Sequence, residues 1–413
     1  MKNLFKNDFI KLTTAREISL FGSTLSGLLS MFWIYDLTSS ITQTIWFQVS
    51  GYIWGTILTL VFATVADNYD KKRPVLIAEL GMFAVFLIYG VLAFYKIKLL
   101  WLIYLLQFFA AIFNAVLSTF LSTWMMSILK DNYHRPWARY QAIRSFNQFL
   151  FLSIAGVLSG LLSFWVVFII DAFTYLLAFV IELQIVSTEK ISIKIKELFS
   201  MSYIINDYKK CYYFIKNEHQ YLFIICCLCM LFNFLSVPLG DMLPFYVKDI
   251  FKETPTFYSF LLMAGTAGGL VAVLLLQNET KYNHFSIKMI CFVMLIEGLL
   301  AIVFSALNNN NKWYAIPILF FVFLTVTIFN ISTRLLLRSA GVKYFAKLTS
   351  FIDTLSSLFI PLGLLFSTYL SQQSNLQGVY LYNGLGLIIL FILTTSTLIL
   401  TKTIRFYTRK ELA

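Results

Sequence analysis

The sequence predicts an all-α membrane protein of twelve transmembrane helices, and three observations predict it. Of 413 residues, 59% are hydrophobic and 13% charged, whereas a soluble domain carries about 25% charged residues. So little polar surface cannot keep a chain of this size in water. The apolar residues come in long runs, and a helix needs about 20 of them to cross a hydrocarbon core about 30 Å thick. The basic residues collect in alternate gaps between the runs, the bias that orients helices in a membrane.

Taken in order, the runs predict helices near 18–36, 45–66, 75–94, 99–128, 144–163 and 165–187, then 221–247, 256–277, 285–306, 313–337, 346–370 and 377–401. Each is a helix because lipid offers the backbone no hydrogen-bond partner, so every span must satisfy its own N–H and C=O groups. The longest polar interruption, Thr188 to Gln220, carries six lysines. It divides the chain into an N-terminal six-helix bundle (1–187), a cytoplasmic linker (188–220) and a C-terminal six-helix bundle (221–413). With the N-terminus cytoplasmic, 27 of the 32 Lys and Arg residues fall in cytoplasmic segments, and the outer loops hold only Lys96, Lys98, Lys248, Lys252 and Lys312. Both termini are therefore expected in the cytoplasm. The net charge of +12 becomes a topology signal and gives no ground for a nucleic-acid partner.

An offset of 205 residues relates the halves: Ser145-Phe146 matches Ser350-Phe351, Gly156 falls on Pro361, and Asp36 falls on Asp241. A duplicated six-helix unit leaves this kind of trace, and transporters built from repeats bind substrate at the repeat interface. The bundles are thus expected to be pseudo-symmetric. Cys226, Cys227 and Cys229 sit about 100° apart per residue on a helix and do not converge on a metal ion; they read as small apolar filler. No Gly-rich phosphate loop with Lys and Ser/Thr is present, which argues against ATP-driven chemistry. No nucleophile–histidine pair or metal set lies in the spans, so neither an enzyme nor a cofactor is expected.

The segment Ala63-Thr64-Val65-Ala66-Asp67-Asn68-Tyr69-Asp70-Lys71-Lys72-Arg73 resembles the loop between helices 2 and 3 that marks the major facilitator superfamily. Ala63 stands where that family usually has Gly, and Asn68 where it often has Arg. Ile170-Asp171-Ala172-Phe173-Thr174-Tyr175, Phe21-Gly22-Ser23 and Tyr35-Asp36-Leu37-Thr38 resemble runs of the branch holding macrolide, other drug and siderophore exporters. Gly156 and Gly160 resemble the antiporter signature of helix 5 without its proline, and Gln107 stands where many proton-coupled relatives have arginine. The resemblance implies the major facilitator fold, in a monomer of the bacterial plasma membrane.

It also implies roles. Asp67 would cap the start of helix 11 in a cytoplasmic gate, since a helix N-terminus favours negative charge, with Asp70, Lys71, Lys72 and Arg73 as the surrounding charge network. Ionisable residues within a bilayer are costly and rare, which makes Asp36, Asp241, Glu297 and Asp171 candidates for proton coupling. Glu297 is the deepest of them along its helix, and Asp171 is expected to touch helix 5. Trp33, Gln107, Asn114, Asn233 and Asn330 are candidates for substrate contact, because a binding pocket needs few polar groups in an apolar lining. Arg144, Asn147, Gln148, Arg334, Arg338 and Asp353 are candidates for ion pairs between the halves. The expected function is export of a small amphipathic molecule (a drug, siderophore, metabolite or peptide) by alternating access in exchange for protons. Uptake by symport and a lipid-handling, flippase-like role are the alternatives.

Overall fold

A computed structural model describes residues 2–66, 70–129, 134–185, 220–276, 286–339 and 345–400, and among them every regular element is helical. The chain divides into two compact units, Met1–Lys209 and Lys210–Ala413.

In the first unit α1 spans Lys2–Thr38, α2 Ile41–Ala66, α3 Lys72–Phe94 and α4 Leu100–Val116. A π-helical turn, Leu117–Leu121, carries α4 on into Ser122–Leu129; α5 (His134–Leu161) and α6 (Phe164–Leu183) complete the unit. Two tight breaks are set by residues in the left-handed region, Ser39 (φ 52°) after α1 and Lys96 (φ 53°) after α3. α1 begins well before the expected start at 18, so Arg16 and Glu17 stand on a helix and not in a tail. The polar residues before 18 do not end it because each has ordinary helix propensity and none is Gly or Pro.

The second unit holds α7 (Gln220–Asp241), α8 (Pro255–Leu275), α9 (Ser286–Ser305), α10 (Ala315–Ser339) and α11 (Phe345–Leu400). Leu243–Phe245 and a π-helical turn, Tyr246–Ile250, extend α7. α11 is broken at Asn375 (φ 68°, ψ 176°) into two legs, near the expected gap between 370 and 377. Among the described residues, nine stretches are long and apolar enough to cross a membrane. One of these, Thr354–Ser396, contains the break at Asn375, and two further apolar helices, Phe146–Leu158 and Met289–Ser305, are shorter. The expected fifth, ninth and twelfth spans fall on these three stretches.

In lipid the apolar effect does not drive helices together, so small residues and close van der Waals contact must. α3 packs along α6 through a stripe at three- and four-residue spacing that includes Val75, Glu79, Met82, Phe86 and Tyr89. The Phe86 ring stacks on Tyr175 at 5.7 Å, and Tyr89 meets Phe168 at 5.6 Å. Much of the phenylalanine content is spent on such aromatic joints. In the second unit α9 crosses the later leg of α11 where Gly298 and Gly384 face each other; a Cβ built on either comes within 2.8 Å of the other's carbonyl oxygen. Tyr246 meets Phe251 and Tyr380 edge-on and Phe304 at a tilt, and its hydroxyl donates to the Leu307 carbonyl at 2.8 Å.

Candidate functional site

The loop that carries the family resemblance is partly visible. Asp67 lies outside the described residues. Asp70 accepts a hydrogen bond from the Lys72 backbone N–H at 3.3 Å and pairs with Arg73 at 3.7 Å, although the Arg73 side chain is 80% exposed. Lys71 is half-buried. Lys72 has the most definite role: its ammonium donates to the carbonyls of Leu183 at 2.9 Å and Ile185 at 2.6 Å. The last carbonyls of a helix lack internal partners and sit at the negative end of its dipole. Lys72 therefore fastens the start of α3 to the end of α6, where the sequence suggested only a loose charge network.

Asp171 is fully buried, and its carboxylate accepts hydrogen bonds from Ser26 and, at 3.3 Å, Thr174. This corrects the expected contact with helix 5: the partner is α1. The approach is close because Gly22 has no side chain; a Cβ there would stand 2.3 Å from Thr174 Oγ1 and 2.4 Å from Asp171 Oδ1. One turn away, the Ser23 and Tyr175 hydroxyls share a hydrogen bond at 2.8 Å. The runs Phe21-Gly22-Ser23 and Asp171–Tyr175, separate in sequence, thus form one joint between α1 and α6.

Glu297 is fully buried on α9 and accepts a hydrogen bond from Ser236 of α7. Asp36 is exposed two residues before α1 ends. Asp241, the last residue of α7, is half-buried within electrostatic reach of Tyr258 and Tyr380. Asp171 and Glu297 hold helices together, while Asp36 and Asp241 stand at helix ends.

Among the residues expected to contact substrate, Trp33 is 3% exposed and packed edge-on against Phe168 and Tyr89, which makes it part of the core. Gln107 reaches across to Gly51 of α2, where a Cβ would meet its amide nitrogen at 2.5 Å. Asn114 and Asn330 are exposed, and Asn233 is half-buried. Asn147 donates to Glu17 of α1 at 2.7 Å, a bond within the first unit. The side chains of Arg334, Arg338 and Asp353 lie outside the described residues.

Two acids outside the expected site residues are also buried in the first unit. Glu79 on α3 and Glu182 on α6 are both fully buried, and they act on each other and on Arg16 electrostatically. Their signal was present, since each is an acid within an apolar run. Each stands toward one end of its helix, Glu79 in α3 and Glu182 in α6. In the second unit, a cavity of about 160 Å³ lies among α7, α9, α10 and the later leg of α11, walled by Ser236, Gly240, Ala301, Phe304, Phe323 and Tyr380.

Comparison with known proteins extends over nearly the whole chain. The model of the Major Facilitator Superfamily matches residues 18–360. Macrolide efflux protein A of Streptococcus pyogenes is 19% identical over 384 residues, covering 92% of this chain and 94% of that protein. The solved structure of the nucleoside transporter NupG superposes with a TM-score of 0.73 at 12% identity, over 94% of this chain and 98% of its own. A POT family transporter in complex with a thioalcohol-conjugated peptide gives 0.68 at 12% identity, over 96% of each chain.

Proposed function

This chain belongs to the major facilitator superfamily, and on that premise we propose that it exports an amphipathic small molecule of the macrolide class by alternating access, in exchange for protons. The observation that carries the proposal is the end-to-end match with a relative named for macrolide efflux. The likeness to the nucleoside and peptide transporters, at 12% identity, supports the fold alone.

In this reading residues 1–187 and 221–413 are the two bundles, 188–220 is a cytoplasmic linker, and the monomer lies in the plasma membrane with both termini in the cytoplasm. Gln107, Asn114, Asn233 and Asn330 supply the few polar contacts that an apolar substrate pocket needs. Asp67 closes the cytoplasmic side together with Asp70 and Lys71–Arg73. The Lys72 bonds to the end of α6 support the idea that this loop moves with the first bundle as a rigid piece. Asp36, Asp241, Asp171 and Glu297 are the acids through which proton exchange is to be sought.

The test is transport. Expressed in a macrolide-sensitive bacterial host, the chain should lower accumulation of labelled erythromycin and raise the inhibitory concentration. Inside-out vesicles should take up the label when their lumen is acidified and release it on addition of a protonophore. Accumulation unchanged by expression would overturn the proposal. Proton-driven inward movement in whole cells would select symport, and transfer of labelled lysolipid without macrolide flux would select a lipid-handling role.

A further inference from the structure

The α3–α6 interface holds a group of charges that none of the contacts above explains. Glu79 and Glu182 are each fully buried, and none of their four carboxylate oxygens has a hydrogen-bond partner among the described residues. A carboxylate removed from water is tolerated only with a donor or a counter-charge. Arg16 of α1, half-buried, supplies one counter-charge and acts on both acids. One positive charge balances one carboxylate. Two like charges sharing a dry site cannot both persist, so the second acid must be neutral.

We propose that Glu79 and Glu182 form a proton-binding pair that holds one shared proton beside Arg16. With one proton aboard, the two acids and the guanidinium sum to zero charge. Losing the proton leaves an uncompensated negative charge, and gaining a second leaves an uncompensated positive one. Proton affinity therefore depends on where α1 holds Arg16. The guanidinium in the same group opposes a metal cation there, which leaves the proton as the ligand.

The surroundings isolate the pair. From α6, Asp171 and Tyr175 face it electrostatically, with Asp171 already bonded to Ser26 and Tyr175 to Ser23. From α5, Tyr140 faces Arg16, with Arg144 and Glu17 beyond it; Glu17 is bonded to Asn147. On α3 itself the cations are Lys72, whose ammonium is committed to the end of α6, and Arg73, which is exposed and paired with Asp70. From α2 and the π-helical turn the surrounding core is apolar: Val65, Ala66, Phe120 and Leu121.

The coupling of this pair to export rests on the antiport reading above, but proton binding itself does not, and the experiment separates the two. The full chain in lipid nanodiscs is titrated between about pH 4 and 8, the range spanning ordinary carboxylate and histidine values, while infrared difference spectra record the carbonyl stretch of protonated carboxyls. Wild type should show a titrating component that is lost in Glu79→Gln and equally in Glu182→Gln, because the remaining acid then pairs with Arg16 as the ion. If one of these variants fails to fold, Arg16→Gln provides the third arm and should move the same component to higher pH. Retention of the wild-type component in both glutamine variants would overturn the pair. So would a sodium-dependent signal in its place. Loss of the component with macrolide flux absent would leave the proton pair standing and refute only the export reading.

Discussion

Gly22→Ala should weaken the first unit although alanine is the better helix former, and Gly27→Ala on the same helix should not. At Gly22 an added Cβ would lie 2.3 Å from Thr174 Oγ1, 2.4 Å from Asp171 Oδ1 and 3.0 Å from the Asp171 Cα, whereas at Gly27 it would meet nothing within 4 Å. The side-chain oxygens could rotate aside, but the Asp171 backbone cannot, so α1 must retreat from α6. Overpacking of this kind costs about 1–3 kcal/mol. Retreat also lengthens the Ser26–Asp171 bond, and an interhelical hydrogen bond in a membrane protein is worth about 0.6 kcal/mol. The gain in helix propensity returns about 0.5–1 kcal/mol. The net loss is about 1–3 kcal/mol for Gly22→Ala, against a gain of about 0.5–1 kcal/mol for Gly27→Ala. At about 2–4 °C per kcal/mol for a unit of this size, the two variants should move to opposite sides of wild type. The assay is the apparent thermal midpoint of the purified protein in one detergent at one scan rate, because unfolding of such proteins is read as a rate. Equal shifts for the two variants, or stabilisation by Gly22→Ala, would refute the claim that absence of a Cβ lets α1 and α6 meet.

Lys72→Met removes two charge-assisted bonds from the end of α6 and should cost about 1–2 kcal/mol after allowance for solvent at this partly exposed site. Hydrogen exchange should quicken in the peptide ending α6, and unchanged protection there would discard the clamp. Ser236→Ala leaves the fully buried Glu297 without its donor and should destabilise the second unit by about 1–3 kcal/mol. A double-mutant cycle with Glu297→Gln should return a coupling of about 0.6 kcal/mol or more, and additivity of the two changes would mean that the contact contributes nothing. Asp67→Asn should cut erythromycin efflux several-fold at an unchanged amount of protein in the membrane, and efflux at the wild-type rate would end the gating assignment.

The helices were legible because the physics of lipid writes them into sequence: each backbone must bond to itself over about 20 apolar residues, and the expected intervals meet helices throughout the described residues. What composition cannot convey is which face of a helix meets which neighbour. Asp171 looked like a partner for helix 5 and meets Ser26 of α1. Trp33, expected near a substrate, is closed in by Phe168 and Tyr89. Glu79 and Glu182 each stand toward a helix end, and the antiparallel run of α3 against α6 brings each end beside the other and buries both acids. Glycine spacing had the same limit. Gly51 and Gly55 form one pattern in sequence, but a Cβ on Gly51 would meet Gln107, whereas one on Gly55 would meet nothing within 4 Å among the described residues.

The 205-residue offset bears on where proton chemistry can reside. Each unit ties its first helix to another of its helices through a serine and an acid, Ser26 with Asp171 in one and Ser236 with Glu297 in the other. If these joints belonged to the repeat, the offset would superpose them. Instead the counterparts of Ser26, Asp171, Ser236 and Glu297 are Leu231, Leu376, Met31 and Leu92, all apolar. The first joint links α1 to α6 and the second α7 to α9, so the two units reached similar chemistry at different interfaces. The counterparts of Glu79, Glu182 and Arg16 are His284, Leu387 and Tyr221, which cannot rebuild a carboxylate pair beside a guanidinium. A proton held by that trio therefore has no mirror site in the second unit. Under the proposed proton exchange, such a pair would answer only to rearrangement within the first unit, the unit whose α3 and α6 are fastened by Lys72.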